Sequence, residues 1–448
     1  MKDQNEQGGV VVRKRALVIP AYYYSSNPLF LSIKDRLPEW DFVYFFSKDT
    51  PGYGLNAENI SYDKVGRKFD EYHELEYDPW WLKKREPDFT LSLLGKLSVG
   101  VRYLTAVRSY VRCFNRQVAA MKPDLAILPS DMTFSARLLR KSFPDLPIVV
   151  VQPNFLDFRD KGLRYRFAKR MFNILTGVPF FERQPYFGLE IEDDHLLVWG
   201  EKSVRFYQSK RGQVHRITNP EHCLLLERVE QARRSDPFRR IREFGDLDPQ
   251  RKTVVIFIGS FVSLYGEEFQ RQLNREYLQV LDRLAGSFNV VLKVHPTADR
   301  KPWEELFEKH LQQKQVLLLQ SNDNFYELLS IADVNISTFS YAGLQAALAG
   351  SISINLFPSC RRRDSNSEWV AECSALNASS AEELCAYLAL LEYGQGIEME
   401  NHKKRIEVFT RSYLNPESFQ AGYWEKLFAS FLSDAGPQAK GGCDAPDA

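Results

Sequence analysis

Along this chain, short apolar runs alternate with longer stretches whose apolar residues recur every three or four positions. That alternation predicts βα units built around parallel sheets. In the first half the strand candidates are Ala16–Pro20, Asp41–Ser47, Leu125–Pro129, Ile148–Gln152 and His195–Gly200. A long helix is predicted at about Lys96–Met121, where Leu97, Val101, Leu104, Val107, Val111, Phe114 and Val118 form one apolar stripe. Residues Leu225–Arg251 are highly charged with little strand character and read as a helical linker. The alternation then restarts, with strands at Thr253–Gly259, Asn289–His295, Val316–Gln320, Val334–Ser337 and Ile352–Phe357. Helices are expected between and after them at about Glu267–Leu284, Trp303–Gln312, Asn324–Ile331, Ser340–Ala349 and Ala381–Leu391.

This pattern divides the 448 residues into a flexible tail (1–15), an N-terminal α/β domain (16–224), a linker (225–251) and a C-terminal α/β domain (252–395). C-terminal helices (396–434), which could pack back on the first domain, and a second flexible tail (435–448) complete the chain. Two such halves enclose a cleft, and ligands of open parallel sheets bind beyond the carboxyl ends of the strands.

Composition narrows the partners. With a net charge of +1, no bulk field recruits nucleic acid or an anionic membrane, so any such contact is a local patch. The six cysteines are scattered without a C-x-x-C pair, which argues against a zinc site or a disulfide framework and for a reducing cytosol. No run approaches the ~18 consecutive apolar residues of a membrane span, and the first residues lack the pattern of a signal peptide. The expected location is cytoplasmic, with peripheral contact at the inner face of the membrane left open.

The most informative chemistry lies in the C-terminal half. The strand Asn289–His295 carries Lys293 and His295 on one side near its carboxyl end, followed by Pro296. A cation and an imidazole there can neutralise charge growing on a phosphate leaving group; a strand-end histidine that hydrogen-bonds backbone is the plainer role. A second strand, Val334–Ser337, runs into Thr338 and Ser340 and then a small-residue helix closed by Gly350. Hydroxyls and free N–H groups at a helix N-terminus bind anions, although Ser340 would cap the helix in any case. The Gly259–Ser260 turn after Thr253–Ile258 is a third, weaker element.

These residues carry a resemblance. K-x-H-P, followed about forty residues later by an S-T-x-S-x-x-x-x-(E/Q)-A-x-x-x-G helix, is similar to the C-terminal domain of GT-B glycosyltransferases. Within that superfamily it resembles the bacterial capsule and surface-polysaccharide enzymes, polysialyltransferase-like or Kdo-transferase-like. More distantly it is similar to UDP-N-acetylglucosamine 2-epimerases and teichoic-acid glycerophosphotransferases. The match covers about Thr253–Phe357, and the N-terminal half agrees only in strand order. The resemblance implies an α/β GT-B fold, two Rossmann-like domains facing each other across a cleft. It implies that His295, Ser337, Thr338 and Ser340 contact donor phosphate, with Lys293, Pro296, Gly259 and Ser260 beside them. Gln345 stands where many relatives have a glutamate that binds ribose hydroxyls.

Such a transferase needs a base for the acceptor hydroxyl. Asp131, directly after Leu125–Ser130, is the first candidate, and capping of the next helix is its competing role. Asp157, the cluster Glu190, Glu192, Asp193 and Asp194, and Arg164 are further N-terminal candidates; the acidic cluster reads better as a solvated turn. Tyr22 and Tyr23, after the first strand, suit a sugar face as well as they suit packing. The basic amphipathic stretch Arg164–Leu175 reads either as an interior-facing helix with snorkelling arginines or as a membrane-surface helix. Arg361–Arg363 is a loop at a strand end.

The expected function is therefore transfer of a sugar from a nucleotide-activated donor, CMP-linked before UDP-linked, to a surface-polysaccharide or glycolipid acceptor. No cofactor is implied, and no D-x-D run at a strand's carboxyl end suggests a metal. The alternatives are a CDP-glycerol-type phosphotransferase, an epimerase-like isomerase and a non-catalytic scaffold of the same shape.

Overall fold

The computed structural model describes residues 13–20, 26–46, 65–75, 93–152, 174, 187–236, 247–259, 266–284, 286–295, 301, 303–305, 316–319, 324–338, 340–358, 376–392 and 397–434. Every strand pairing among them is parallel.

The first half is a seven-stranded sheet formed by β1 (Lys14–Val18), β2 (Trp40–Phe46), β3 (Glu71–Glu74), β4 (Leu125–Leu128), β5 (Ile148–Val151), β6 (His195–Val198) and β7 (Val214–Arg216), in the order β3-β2-β1-β4-β5-β6-β7. Side chains alternate between two buried faces, as a doubly wound sheet requires. Leu17, Val43, Phe45, Ala126, Leu128, Val150 and Val198 face α2 (Leu93–Met121), α3 (Phe134–Ser142) and α4 (Glu201–Gln208). Of the stripe predicted on the long helix, Val107, Phe114 and Val118 are buried and Val111 is partly buried against the same core. Ala16, Val18, Phe42, Tyr44, Ile127 and Val149 face the opposite way, toward α1 (Ser26–Asp35) and α11 (Tyr423–Asp434). The last helix thus closes the first sheet, Trp424, Phe428 and Phe431 being buried against it.

The second half is a six-stranded sheet of β8 (Thr253–Ile258), β9 (Asn289–Val294), β10 (Val316–Leu319), β11 (Val334–Ser337), β12 (Ile352–Leu356) and β13 (Leu376–Ala378), ordered β10-β9-β8-β11-β12-β13. Even-numbered positions such as Val254, Ile256, Leu292, Ile336 and Ile354 pack on α6 (Glu267–Leu284) and α9 (Ala381–Glu392). Odd-numbered positions such as Val255, Phe257 and Val291 pack on α5 (Pro220–Arg234), α7 (Phe325–Ile331) and α8 (Tyr341–Leu348). The helix α10 (Ile397–Tyr413) and a 3-10 turn (Pro416–Phe419) return the chain to the first half.

The strands β3, β7 and β13 have no counterpart among the sequence expectations. Each is an edge strand of three or four residues (EYHE, VHR, LNA) without an apolar run to announce it. The stretch expected to be helical from Leu225 lies in a helix that begins earlier, at Pro220, behind the cap Asn219, whose side chain accepts the Glu221 N–H at 2.9 Å. Its Leu225 and Val229 are buried under the second sheet, so much of that charged stretch is core on one side.

Candidate functional site

In both sheets the strand order reverses beside the first strand, between β1 and β4 and between β8 and β11. At such a point the helices leave toward opposite faces and open a crevice beyond the strand ends. The C-terminal constellation surrounds the second of these points. Lys293 pairs with Phe257, Phe257 with Ser337, and Ser337 with Asn355. Residues paired in register point to the same face, so these four form one row across four strands. Lys293 and Ser337 are two strand spacings apart, roughly 9–10 Å. Both are buried. The Ser337 hydroxyl is fully enclosed and has no hydrogen-bond partner among the described residues.

His295 sits one step beyond β9, its N–H donated to the Ile258 carbonyl at 2.9 Å. Its ring is exposed at the strand tip. The surrounding protein still desolvates it, and together with the Lys293 cation this pushes its pKa below the usual imidazole value. Gly259 lies at the adjacent end of β8. Ser340 caps α8, its hydroxyl accepting the Ala342 N–H at 3.2 Å. The next two amides, of Gly343 and Leu344, donate to the Ser340 carbonyl at 3.0 and 3.4 Å, so this helix end offers an anion its dipole more than free donors.

Thr338 departs from the expectation of a phosphate contact. Alternation along the strand turns it to the other face, where its hydroxyl donates to the Leu356 carbonyl at 2.7 Å and meets the Tyr277 hydroxyl at 2.9 Å. It ties α6 to the sheet rather than lining the crevice with Ser337.

Asp131 is the larger correction. It is fully buried, and its carboxylate accepts three backbone N–H groups, from Gly188 at 2.5 Å, Glu190 at 2.7 Å and Ile191 at 3.2 Å. Burial pushes its pKa up, while these donors and the Arg211 guanidinium oppose the shift. A carboxylate so occupied holds a turn and cannot reach an acceptor hydroxyl; the cap of α3 is Thr133. The acidic cluster is likewise not all solvated. Asp194 is buried, pairs with Arg140 and accepts the Ile148 N–H at 3.2 Å. Ser260, Pro296, Tyr22, Tyr23, Asp157, Arg164 and the Arg361–Arg363 run lie outside the described residues.

The structure adds Asn219, Glu221, His222 and Tyr341, which the sequence did not single out, at the junction of the two halves. Asn219 Nδ2 donates to the Tyr341 hydroxyl at 2.8 Å, and Gln345 Nε2 donates to Glu221 Oε1 at 3.3 Å. Asn219 and Glu221 open α5, whereas Tyr341 and Gln345 lie one turn apart on α8, so the two bonds run side by side. Burial lifts the Glu221 carboxyl to about 7, against the Gln345 hydrogen bond. Next to it, His222 is buried among the rings of Trp199, Tyr341 and Tyr413, at centroid distances of 5.8, 5.2 and 5.6 Å. Neither of its ring nitrogens has a partner, and burial lowers its pKa to about 3, so it is a neutral imidazole. The only sequence signal for this junction is the Asn-Pro pair at the start of α5, a cap followed by an N1 proline.

Among the described residues, no group of three or more His, Cys, Asp or Glu side chains could hold a metal ion, and no helix is long and apolar enough to cross a membrane.

No family profile and no curated protein matches the chain. Solved structures do. A UDP-GlcNAc 2-epimerase from Neisseria meningitidis, bound to UDP-GlcNAc, is similar over 94% of this chain and 100% of its own, at 14% identity and a TM-score of 0.55. The glycosyltransferase SnogD from Streptomyces nogalater is similar over 93% and 100%, at 15% identity and a TM-score of 0.50. A variant of the wall teichoic acid polymerase TagF is similar over 95% and 90%, at 12% identity and a TM-score of 0.50. At such identities the likeness concerns architecture. The chain has the two-domain α/β fold of the GT-B type.

Proposed function

We propose that this protein is a glycosyltransferase that holds a nucleotide-activated sugar at the carboxyl ends of β8, β9 and β11 and an acceptor on the N-terminal side of the cleft. The observation that carries the reading is the row Lys293–Phe257–Ser337, with His295 above it at the switch point of the second sheet. A cation, an imidazole, an unpartnered hydroxyl and a helix N-terminus there suit an anion better than any neutral group.

In this reading the acceptor oxygen forms a bond to the anomeric carbon as that carbon's bond to the donor phosphate breaks, the electron pair leaving with the phosphate oxygen. Lys293, His295 and the positive end of the α8 dipole meet the charge that develops. The acceptor proton leaves to a base other than Asp131, whose carboxylate is committed to the 188–191 turn. By resemblance a CMP-linked donor is favoured over a UDP-linked one, and the acceptor is a surface polysaccharide or glycolipid at the cytoplasmic face of the membrane.

A phosphotransferase using a CDP-activated alcohol would employ the same residues. Thermal stabilisation by CMP, CDP, UDP and GDP tests the reading. A nucleotide at one hundred times its dissociation constant stabilises the fold by about 2.7 kcal/mol. Preference for UDP or GDP supports transfer from a nucleoside-diphosphate sugar; preference for CMP fits a CMP-sugar transferase and the phosphotransferase alike, since both release CMP, and stabilisation by a CDP-activated alcohol then favours the latter; no shift with any of the four favours a non-catalytic scaffold.

A further inference from the structure

We propose that the outer face of α2 is a docking surface for an anionic membrane, with a row of arginines meeting headgroup phosphates. This deepens the reading of an acceptor at a membrane face, but the observation behind it lies outside the donor pocket.

The chain carries 59 basic and 58 acidic residues, yet from Phe89 to Pro123 it has no acidic one. The same stretch holds Lys96, Arg102, Arg108, Arg112, Arg116 and Lys122. Arg108, Arg112 and Arg116 recur every four residues on α2, and all three are exposed, as is Lys122 just past the helix end. The opposite side of the helix, with Val107, Tyr110, Phe114, Val118 and Met121, is buried in the core of the first half. Like charges four residues apart on a helix repel. Other exposed helical arginines have a carboxylate one turn away, as Arg205 has Glu201, Arg234 has Glu230 and Arg271 has Glu268. Arg108 and Arg112 have no carboxylate partner among the described residues. A row that costs the helix stability without an internal counter-charge calls for an external one.

Geometry favours a flat partner. Successive arginines stand about 6 Å apart along the axis, within the Debye length of roughly 8 Å at physiological salt, so a charged surface feels them together. They stand on the convex outer side of a helix, which a bilayer surface can meet along its length, whereas a flexible glycan chain is held in a groove. The apolar side of α2 is committed to the core, so the contact is with headgroups and without insertion. As a crossover helix between parallel strands, α2 runs back toward the amino end of the sheet, where Arg15 Nη1 donates to the Met121 carbonyl at 3.0 Å. Its 29 residues span about 43 Å, against roughly 13 Å for the four residues of β4. The helix therefore extends past the carboxyl ends of the strands, and a membrane lying along it passes the rim of the crevice.

Vesicle flotation of the full chain tests the proposal, with pure phosphatidylcholine beside equal parts of phosphatidylcholine and phosphatidylglycerol. The wild type should bind the anionic vesicles at low ionic strength, leave them at high salt and ignore the neutral ones. One arginine near an anionic surface is worth about fivefold in affinity, so Arg108→Gln/Arg112→Gln should bind about 25-fold more weakly. Arg234→Gln/Arg271→Gln, on α5 and α6, removes the same net charge and should bind as the wild type does. The α2 variant loses a repulsion, so its urea midpoint should hold; a fall would show the arginines serving the fold instead. Equal loss in the two double variants would make the attraction one of net charge and overturn the proposal. Equal binding of the wild type to neutral and anionic vesicles would do the same. Binding to a soluble acidic polysaccharide in preference to vesicles would also overturn it and assign the row to a glycan chain. Nucleotide stabilisation is read separately, so either reading can fail while the other stands.

Discussion

The Asp131 carboxylate grips the Gly188 amide at 2.5 Å across 57 positions of sequence. Gly188 has φ +76°, and a Cβ there would meet the Leu196 side chain at 2.9 Å, so the turn is tight as well as tethered. Replacing Asp131 by Ala orphans three buried N–H groups. We expect a loss of about 3 kcal/mol or more in urea unfolding, where each unsatisfied group costs roughly 1–3 kcal/mol. The folded fraction should bind nucleotide as the wild type does; a stable but inactive variant would restore Asp131 to the mechanism.

Ser337 and Thr338 separate ligand binding from folding. Ser337→Ala removes a hydroxyl without a partner and should change stability by less than about 0.5 kcal/mol. Its nucleotide affinity should nevertheless fall about tenfold. Thr338→Val breaks the bonds to Leu356 and Tyr277 and should cost about 1–2 kcal/mol with affinity retained. Calorimetry beside chemical denaturation of both variants checks the pair, and the reversed pattern would place the wrong hydroxyl in the crevice.

His222 stores a pH dependence. Its native pKa of about 3 lies below the ordinary 6.5, so protons favour the unfolded chain. Its contribution is fully present above pH 6.5 and is lost as the pH falls toward 3. His222→Phe keeps an aromatic ring and removes two unpartnered nitrogens. It should raise the melting temperature, and the gain should widen as the buffer is taken from pH 7.5 to pH 5.

Glu221 acts in the opposite sense. Its pKa is raised from 4.5 to about 7, so its contribution is fully present below pH 4.5 and is lost as the pH rises through 7. The tyrosines that its charge influences, Tyr326 and Tyr341, are both shifted further up and stay neutral throughout this window; Arg228 and Glu327 act on Tyr326. The melting temperature of the wild type relative to Glu221→Gln should therefore decline between pH 4.5 and 7 and level off above. A flat difference would mean that the carboxyl is not desolvated.

His295 supplies the last test. It is exposed, so His295→Ala should alter stability by less than about 0.5 kcal/mol. Its pKa is pushed below the usual imidazole value, so the ring becomes cationic only in acid. The ratio of inorganic phosphate affinities of wild type and His295→Ala, which cancels the phosphate's own titration, should rise as the pH is lowered stepwise from 7.5.

The expectations that held share a property: each was written in neighbouring residues. The buried parallel strands β8, β9, β11 and β12 are short runs rich in Val, Ile and Leu, which is what strands covered on both faces require. What could not be read was the identity of distant partners. Nothing around Asp131 announces the turn at 188–191, and a strand-end carboxylate looks the same whether it serves chemistry or backbone. Thr338 turns away from Ser337 because a motif is recognised as a string, whereas a sheet separates its successive members. Glu221 and Gln345 are 124 positions apart and meet only because α5 lies across both halves.

The placement of α11 has a consequence for biogenesis. Trp424, Phe428 and Phe431 cover a sheet whose first strand begins at Lys14. On a ribosome, the earliest-made sheet therefore has α1 on this face but lacks the cover over the rest of it until residues 423–434 have emerged. Truncation before residue 423 should expose that part of the face and raise the tendency to aggregate, although every strand of both sheets would still be encoded.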